Sequence, residues 1–267
     1  MVKGIDCASK LTAQTAAAIR AEGYAFAGRY LVPNSGTLAW KALTKAEAEA
    51  ITSAGLRLLT VWETTADRAR GGASAGAADG ASALRCAREI GMPAGGVIYF
   101  AVDFDARQGD MDAIEAYLRA ARENTEEYEI GVYGSYRVVE TMAQRKACAA
   151  FWQCLAWSYG QKSVFLNVYQ GWFGQTVAGV GVDIDECPDM DRAGIWTYKE
   201  DEDMKRYNTI SELPDWATPT IQKLVDMGAI RGSGAPPDAD GDPTDMDLSL
   251  DMVRMFVIND RAGAYDK

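Results

Sequence analysis

The chain has 267 residues, 27 basic and 38 acidic, for a formal net charge of −11. That balance argues against a general nucleic-acid binder, since no net positive field attracts phosphate. Histidine is absent, which excludes Ser-His-Asp and Cys-His nucleophiles and His-dependent zinc sites and leaves acid–base work mainly to carboxylates.

Hydrophobic residues make up 48% and charged residues 24%, the composition of an ordinary soluble globular protein. The length suits one barrel-sized domain with a small appendage as well as it suits two medium domains. Cys7, Cys86, Cys148, Cys154 and Cys187 include no CxxC pair and read as buried hydrophobes in a reduced compartment. No run of 18 apolar residues and no signal peptide is seen, so membrane insertion is not expected and the protein is expected to be made in the cytoplasm.

Along the chain, short apolar runs alternate with helical stretches. Strands are predicted at 2–6, 24–31, 56–62, 96–103 and 130–133. Helices are predicted at 12–22, from Thr44 to Gly55 behind a capping box with Glu47, at 79–90, 110–125 and 135–144. Residues 149–156, 163–169 and 179–184 follow as three short strands with little room for helices between them. Eight strands of this kind point to an α/β fold, a (β/α)8 TIM-like barrel with degenerate last helices; a doubly wound open sheet fits less well. Gly71, Gly72, Gly76 and Gly80 read as a flexible loop and not as a dinucleotide fingerprint, so no cofactor is expected.

The charge changes near residue 199: residues 200–267 carry 15 acidic and 7 basic side chains, against 23 and 20 before them. The expected organisation is a barrel domain at 1–198, a linker at 199–215 and a small helical module at 216–267. The module's helices would start at Thr218-Pro219 and at Ser249, with Ile221, Leu224, Val225, Val253, Phe256 and Val257 inward. So small a unit is expected to lean on the barrel or on a partner. Between the helices, Asp238, Asp240, Asp242, Asp245 and Asp247 lack EF-hand spacing and read as a solvated acidic loop, with calcium as the alternative.

The informative residues are acids at predicted strand ends. Asp6 closes the first strand, Glu63 follows the third, Asp103 and Asp105 end the fourth, and Asp183 and Asp185 lie on the eighth. Side chains alternate along a strand, so each Asp-x-Asp pair shares one face. In a barrel these acids would converge at the C-terminal mouth. Crowding and burial would raise at least one pKa and leave an acid beside a charged carboxylate, as glycosidic bond cleavage requires. A Mg or Ca site of clustered carboxylates is the competing reading; the expectation here is no metal. Tyr133, Tyr169 and Trp172 are candidate sugar-stacking platforms, and Gln153 and Gln170 candidate hydrogen-bond donors to a glycan.

The ordered series GIDCAS (4–9), GRYL (28–31), VWE (61–63), VIYFAVDFD (97–105), GVYGSY (131–136), FWQCLAW (151–157), VYQ (168–170) and GVDIDE (181–186) resembles the glycoside hydrolase-like barrel domain of bacterial and phage lysin proteins, related to the family 25 lysozymes. The resemblance spans about residues 2–190. It implies a muramidase-like barrel acting on the β-1,4 bond between N-acetylmuramic acid and N-acetylglucosamine, with peptidoglycan as partner and the bacterial wall as its place of action after release, through a holin if phage-encoded. The family's strand-four acid pair falls on Asp103 and Asp105, with Asp105 at the proton donor's position. Its strand-eight pair falls on Asp183 and Asp185, and its strand-one acid on Asp6.

Two positions depart from the family pattern. Asp105 replaces a Glu and is one methylene shorter, and Asp185 replaces an amide. The implied mechanism has Asp105 donating the proton and Asp183 facing the developing positive charge, with the substrate's own N-acetyl oxygen as a possible nucleophile. Asp103 and Asp6 would tune these groups and bind sugar. A non-catalytic glycan-binding barrel is the alternative, followed by a metal-dependent hydrolase and a purely structural protein. Residues 216–232 and 248–266 resemble the C-terminal wall-associated segment of some lysins and, more loosely, a surface-layer repeat; a simple structural extension is the equal alternative.

Overall fold

A computed structural model describes residues 1–198 and 206–266. The chain divides into two compact units, Met1–Tyr198 and Lys199–Lys267.

The first unit is a closed eight-stranded barrel: β1 (Val2–Asp6), β2 (Phe26–Tyr30), β3 (Arg57–Trp62), β4 (Val97–Ala101), β5 (Glu129–Gly134), β6 (Ala150–Cys154), β7 (Val168–Val177) and β8 (Val180–Cys187), each bonded to its sequence neighbour. Helices α1 (Ala13–Ala21), α2 (Lys45–Ser53), α3 (Gly72–Ile90), α4 (Met111–Arg122) and α5 (Tyr136–Gln144) fill the first five crossovers. Strands β1 to β7 run parallel, whereas β8 pairs antiparallel with both β7 and β1. Ala178 and Gly179, at φ +49° and +78°, make the two-residue turn between β7 and β8, the geometry that tight hairpins prefer.

This arrangement corrects three expectations. The predicted strand at 163–169 starts later and runs to Val177, because register shifts at Trp172 and Gln175 break the alternation on which the prediction depended. The glycines at 72, 76 and 80 lie inside α3 and not in a flexible loop. A β-carbon at Gly76 would stand 2.0 Å from the Tyr117 carbonyl oxygen, and one at Gly80 2.6 Å from that of Ala121. The small residues therefore let α3 lie directly on α4. Thr44 does cap α2, accepting from the Glu47 N–H at 3.3 Å. The Glu47 side chain, however, reaches to Arg29 at 2.8 Å and to the Leu11 N–H at 2.9 Å and does not complete a capping box.

Alternation on the strands divides the core in two. Outward residues such as Ile5, Leu58, Ile98, Phe100 and Val132 pack under the helices, where burial of each is worth about 1.5–3 kcal/mol. Inward residues Phe26, Leu59, Val97, Tyr99, Ala150, Val168 and Cys187 fill the lower barrel, closed by Ala193 and Ile195. All five cysteines are free and buried.

In the second unit, α6 (Thr218–Asp226) and α7 (Leu250–Arg261) pack around Ile221, Leu224, Val253 and Val257, beside a two-strand ladder of β9 (Arg206–Tyr207) and β10 (Leu248–Ser249). Residues 199–205 of the expected linker lie outside the described residues. Residues 206–215 are not linker: Tyr207 and Leu213 belong to this unit's own core. In the acidic loop, Asp238 Oδ1 accepts the backbone N–H groups of Asp240 and Asp242, and Asp245 Oδ2 accepts those of Ser233 and Ala235. Those acids cap turns. Among the described residues no group of three or more acidic or thiol side chains is placed to hold a metal ion, and no helix is long and apolar enough to cross a membrane.

Candidate active site at the barrel mouth

The inward parity of β1 is Val2, Gly4, Asp6, and the register with β8 sets Asp6 opposite Asp183 and Gly4 opposite Asp185. Because β8 runs antiparallel, its upstream acid stands at the mouth and Asp185 lies one inward position deeper. This reverses the order expected if strand eight pointed toward the mouth. Gln170 on β7 pairs with Asp185.

Above the apolar layer is a cavity of about 220 Å3 lined by Asp6, Glu63, Asp103 and Asp183, with Tyr30, Tyr133, Trp152, Gln170 and Phe173 among its walls. Gln170 ties the acids together. Its Nε2 donates to Asp6 Oδ2 at 2.7 Å and to Asp183 Oδ2 at 3.5 Å, and its Oε1 accepts from the Tyr133 hydroxyl at 2.7 Å. The Gly174 N–H donates to Asp183 Oδ1 at 2.7 Å. Lys41 stands 3.5 Å from Glu63 Oε2 and 4.2 Å above the Tyr30 ring.

Burial pushes the Asp6 carboxyl up to about 7; the Gln170 amide opposes this and the Asp183 charge adds to it. Asp185 is fully buried and is raised well above the usual carboxylate range by burial and then by Asp6. Its Oδ1 accepts from Trp152 Nε1 at 2.9 Å, while Oδ2 has no partner when both acids are ionised. A proton on Asp185 resolves this by donating to Asp6, which lowers Asp6 and raises Asp185. Burial and mutual repulsion thus both favour the protonated form within this pair. Asp103 is also raised, by burial and by Glu63, with Lys41 opposing.

The structure brings together Asp6, Asp103, Asp183, Glu63, Tyr133 and Gln170, with Asp185 beneath them. Four other predicted residues lie elsewhere. Asp105 is partly buried but does not line the cavity. Strand β4 ends at Ala101, and the Ala106 N–H donates to the Phe104 carbonyl at 2.7 Å, so the chain turns and the alternation that would align Asp105 with Asp103 stops. Tyr169 lies off the cavity with Lys162 stacked on its ring at 3.9 Å. Trp172 is 48% exposed at a register shift and does not line the cavity. Gln153 is fully buried, donates to the Gln161 carbonyl and accepts from the Ser163 N–H, both at 2.8 Å, and so clamps a loop.

Tyr30, Trp152 and Phe173 line the cavity and were not among the predicted site residues. Tyr30 shares the inward parity of Gly28 on β2 and was legible from that spacing. Phe173 reaches the cavity between the register shifts of β7, where the alternation is broken, and left no periodic signal.

Residues 17–198 match the family model described as Rv2525c-like, glycoside hydrolase-like domain. The uncharacterized protein YbfG of Bacillus subtilis is 30% identical over 209 residues, covering 67% of this chain and 28% of that protein, so the chain spans little more than a quarter of this relative's length. Among solved structures, the Mycobacterium tuberculosis Tat-secreted protein Rv2525c, in complex with L-tartrate, aligns with TM-score 0.66 at 23% identity, covering 73% of this chain and 99% of that one. The modular autolysin LytC of Streptococcus pneumoniae aligns with TM-score 0.50 at 10% identity, covering 69% and 46%, a likeness of fold alone. With two thirds of its length matched by one family model, and an acid-lined barrel mouth to go with it, this chain belongs to the Rv2525c-like glycoside hydrolase-like domain family.

Proposed function

We propose that the barrel is a carboxylate glycosidase of peptidoglycan, cleaving the β-1,4 bond between N-acetylmuramic acid and N-acetylglucosamine at the bacterial wall. The observation that carries this reading is one cavity lined by Asp6, Glu63, Asp103 and Asp183, in which burial and like charge make the proton affinities unequal. Aromatic walls at Tyr30, Tyr133 and Phe173 suit the apolar faces of sugar rings.

In this mechanism Asp103 donates its proton to the glycosidic oxygen as the bond to the anomeric carbon breaks. Asp183, oriented by Gly174 and Gln170, faces the positive charge developing on that carbon. Water completes hydrolysis, directly or after the substrate's N-acetyl oxygen has held the anomeric carbon. The donor role, implied for Asp105 by resemblance, passes to Asp103 because Asp103 lines the cavity and Asp105 does not.

The test is release of new reducing ends from purified peptidoglycan. Asp103→Asn and Asp183→Asn should each lose about 100-fold or more in rate; a comparable loss in Asp105→Asn with Asp103→Asn unaffected would return the donor role to Asp105. A second reading, glycan binding without cleavage, draws on the absence of a carboxyl lining the cavity at the family's donor position. Saturable retention on insoluble peptidoglycan without any reducing-end release would favour it.

A further inference from the structure

A second concavity, of about 350 Å3, lies along α5. Its walls are one face of α5, Gln108 from the segment after β4, and Trp157, Tyr159 and Gln161 from the loop after β6. Asp103 is followed by Gln108, Tyr133 by Tyr136, and Ala156 by Trp157; the first of each pair lines the mouth and the second the neighbouring groove. Ala156 and Trp157 are joined by one peptide bond, so the two cavities approach each other at this loop while sharing no lining residue.

The groove presents Trp157 and Tyr159 on a loop built to hold them. Both are non-glycine residues in the left-handed region, at φ +54° and +49°, which costs about 1–2 kcal/mol each. Tyr159 is nevertheless 77% exposed, so its own burial does not offset that cost. The fixture is Ser158 between them. It is fully buried, donates from Oγ to the Cys154 carbonyl at 2.6 Å and accepts the Tyr136 N–H at 2.8 Å. The buried Gln153 holds the far side of the same loop through Gln161 and Ser163. For Tyr159 this is a strained placement on a pinned loop that its own packing does not require.

The other lining groups are Tyr136, Thr141, the carboxamides of Gln108, Gln144 and Gln161, one acid and one cation. Arg137 is exposed and, among the described residues, joins no ion pair. The groove's acid, Glu140, is engaged by the Ser163 hydroxyl at 2.6 Å. Aromatic faces, amides and one free guanidinium suit a saccharide carrying a carboxylate.

We infer that this groove is a second saccharide site, which holds a carboxylate-bearing amino sugar of the same glycan strand that threads the mouth. Trp157 and Tyr159 stack on its rings, and Arg137 takes the carboxylate. This rests on the glycan reading of the mouth but concerns binding, and binding is read separately from cleavage.

The test measures affinity in the full chain with Asp183→Asn, so that the glycan stays intact. The probes are the muramyl disaccharide of peptidoglycan, its tetrasaccharide and N-acetylchitotetraose, which has no carboxylate. The tetrasaccharide should bind more tightly than the disaccharide. Trp157→Gly and Tyr159→Gly, which relieve the backbone strain and should keep the fold, should each cut that advantage about tenfold. Arg137→Gln should weaken the muramyl tetrasaccharide and leave N-acetylchitotetraose unchanged. If the tetrasaccharide gains nothing over the disaccharide, or the glycine variants keep the gain, the groove proposal fails and the cleavage reading stands. Groove-dependent tetrasaccharide binding with no reducing-end release in the unsubstituted protein would remove the cleavage reading and leave the groove.

Discussion

The indole N–H of Trp152 donates to Asp185 Oδ1 over 2.9 Å at the floor of the barrel mouth, and it is the hydrogen bond that fixes which oxygen of Asp185 is left for Asp6. Asp6 is in turn held by Gln170 at 2.7 Å. Asp6 and Asp185 are therefore both held by a hydrogen-bonded frame of Trp152, Gln170 and Tyr133.

That frame sets a pH dependence of stability. The folded-state pKa of Asp6 is about 7, above its unfolded value. The folded protein thus binds more protons than the unfolded chain as pH rises from about 4 to about 7. Stability should be fullest below pH 4, fall through that window, and level off above it for this group, at about 1.4 kcal/mol per pH unit. Urea unfolding of wild type and Asp6→Asn across pH 4–8 checks this. The variant should lose much of the slope, and an unchanged slope would assign the proton elsewhere.

Gly28 is the residue that makes room for the site. A β-carbon there would stand 2.6 Å from the Asp6 β-carbon and 3.2 Å from the Trp152 ring. Neither neighbour is a flexible side-chain end, so Gly28→Ala should cost about 1–3 kcal/mol by overpacking. The same substitution should disturb the Asp6 titration, read by carboxyl NMR. A neutral effect on both measurements would mean that the strands shift freely at this level.

Arg29 positions the mouth from outside the barrel. It is fully buried, pairs with Glu47 at 2.8 Å and donates to the carbonyls of Cys7 and Lys41, the latter at 3.2 Å. Cys7 follows Asp6, and Lys41 is the cation beside Glu63. Arg29→Met leaves Glu47 charged, buried and without its partner, which should cost about 3–5 kcal/mol. Arg29→Met with Glu47→Gln should recover part of that loss in thermal unfolding. Equal losses in the single and double variants would show that the carbonyl contacts dominate.

The sequence determined the fold and most of the acids. Alternating apolar runs, helix stops at Gly55 and Gly91, and acids on one strand parity need only local geometry, and they marked the barrel together with Asp6, Asp103 and Asp183. They also placed Gln170 and Tyr133 near the same end. Tertiary structure decided the rest. Whether β8 ran up or down the barrel depended on a two-residue turn at Ala178-Gly179, and that direction put Asp183 at the mouth and Asp185 beneath it. Whether Asp105 joined Asp103 depended on where β4 stopped being extended. Gln153 and Ser158 became a buried clamp only because the loop after β6 folds back on them. Residue spacing fixes which face a side chain takes within one strand. Only closure of the barrel fixes which faces meet, and the unequal proton affinities arise from the burial that closure imposes.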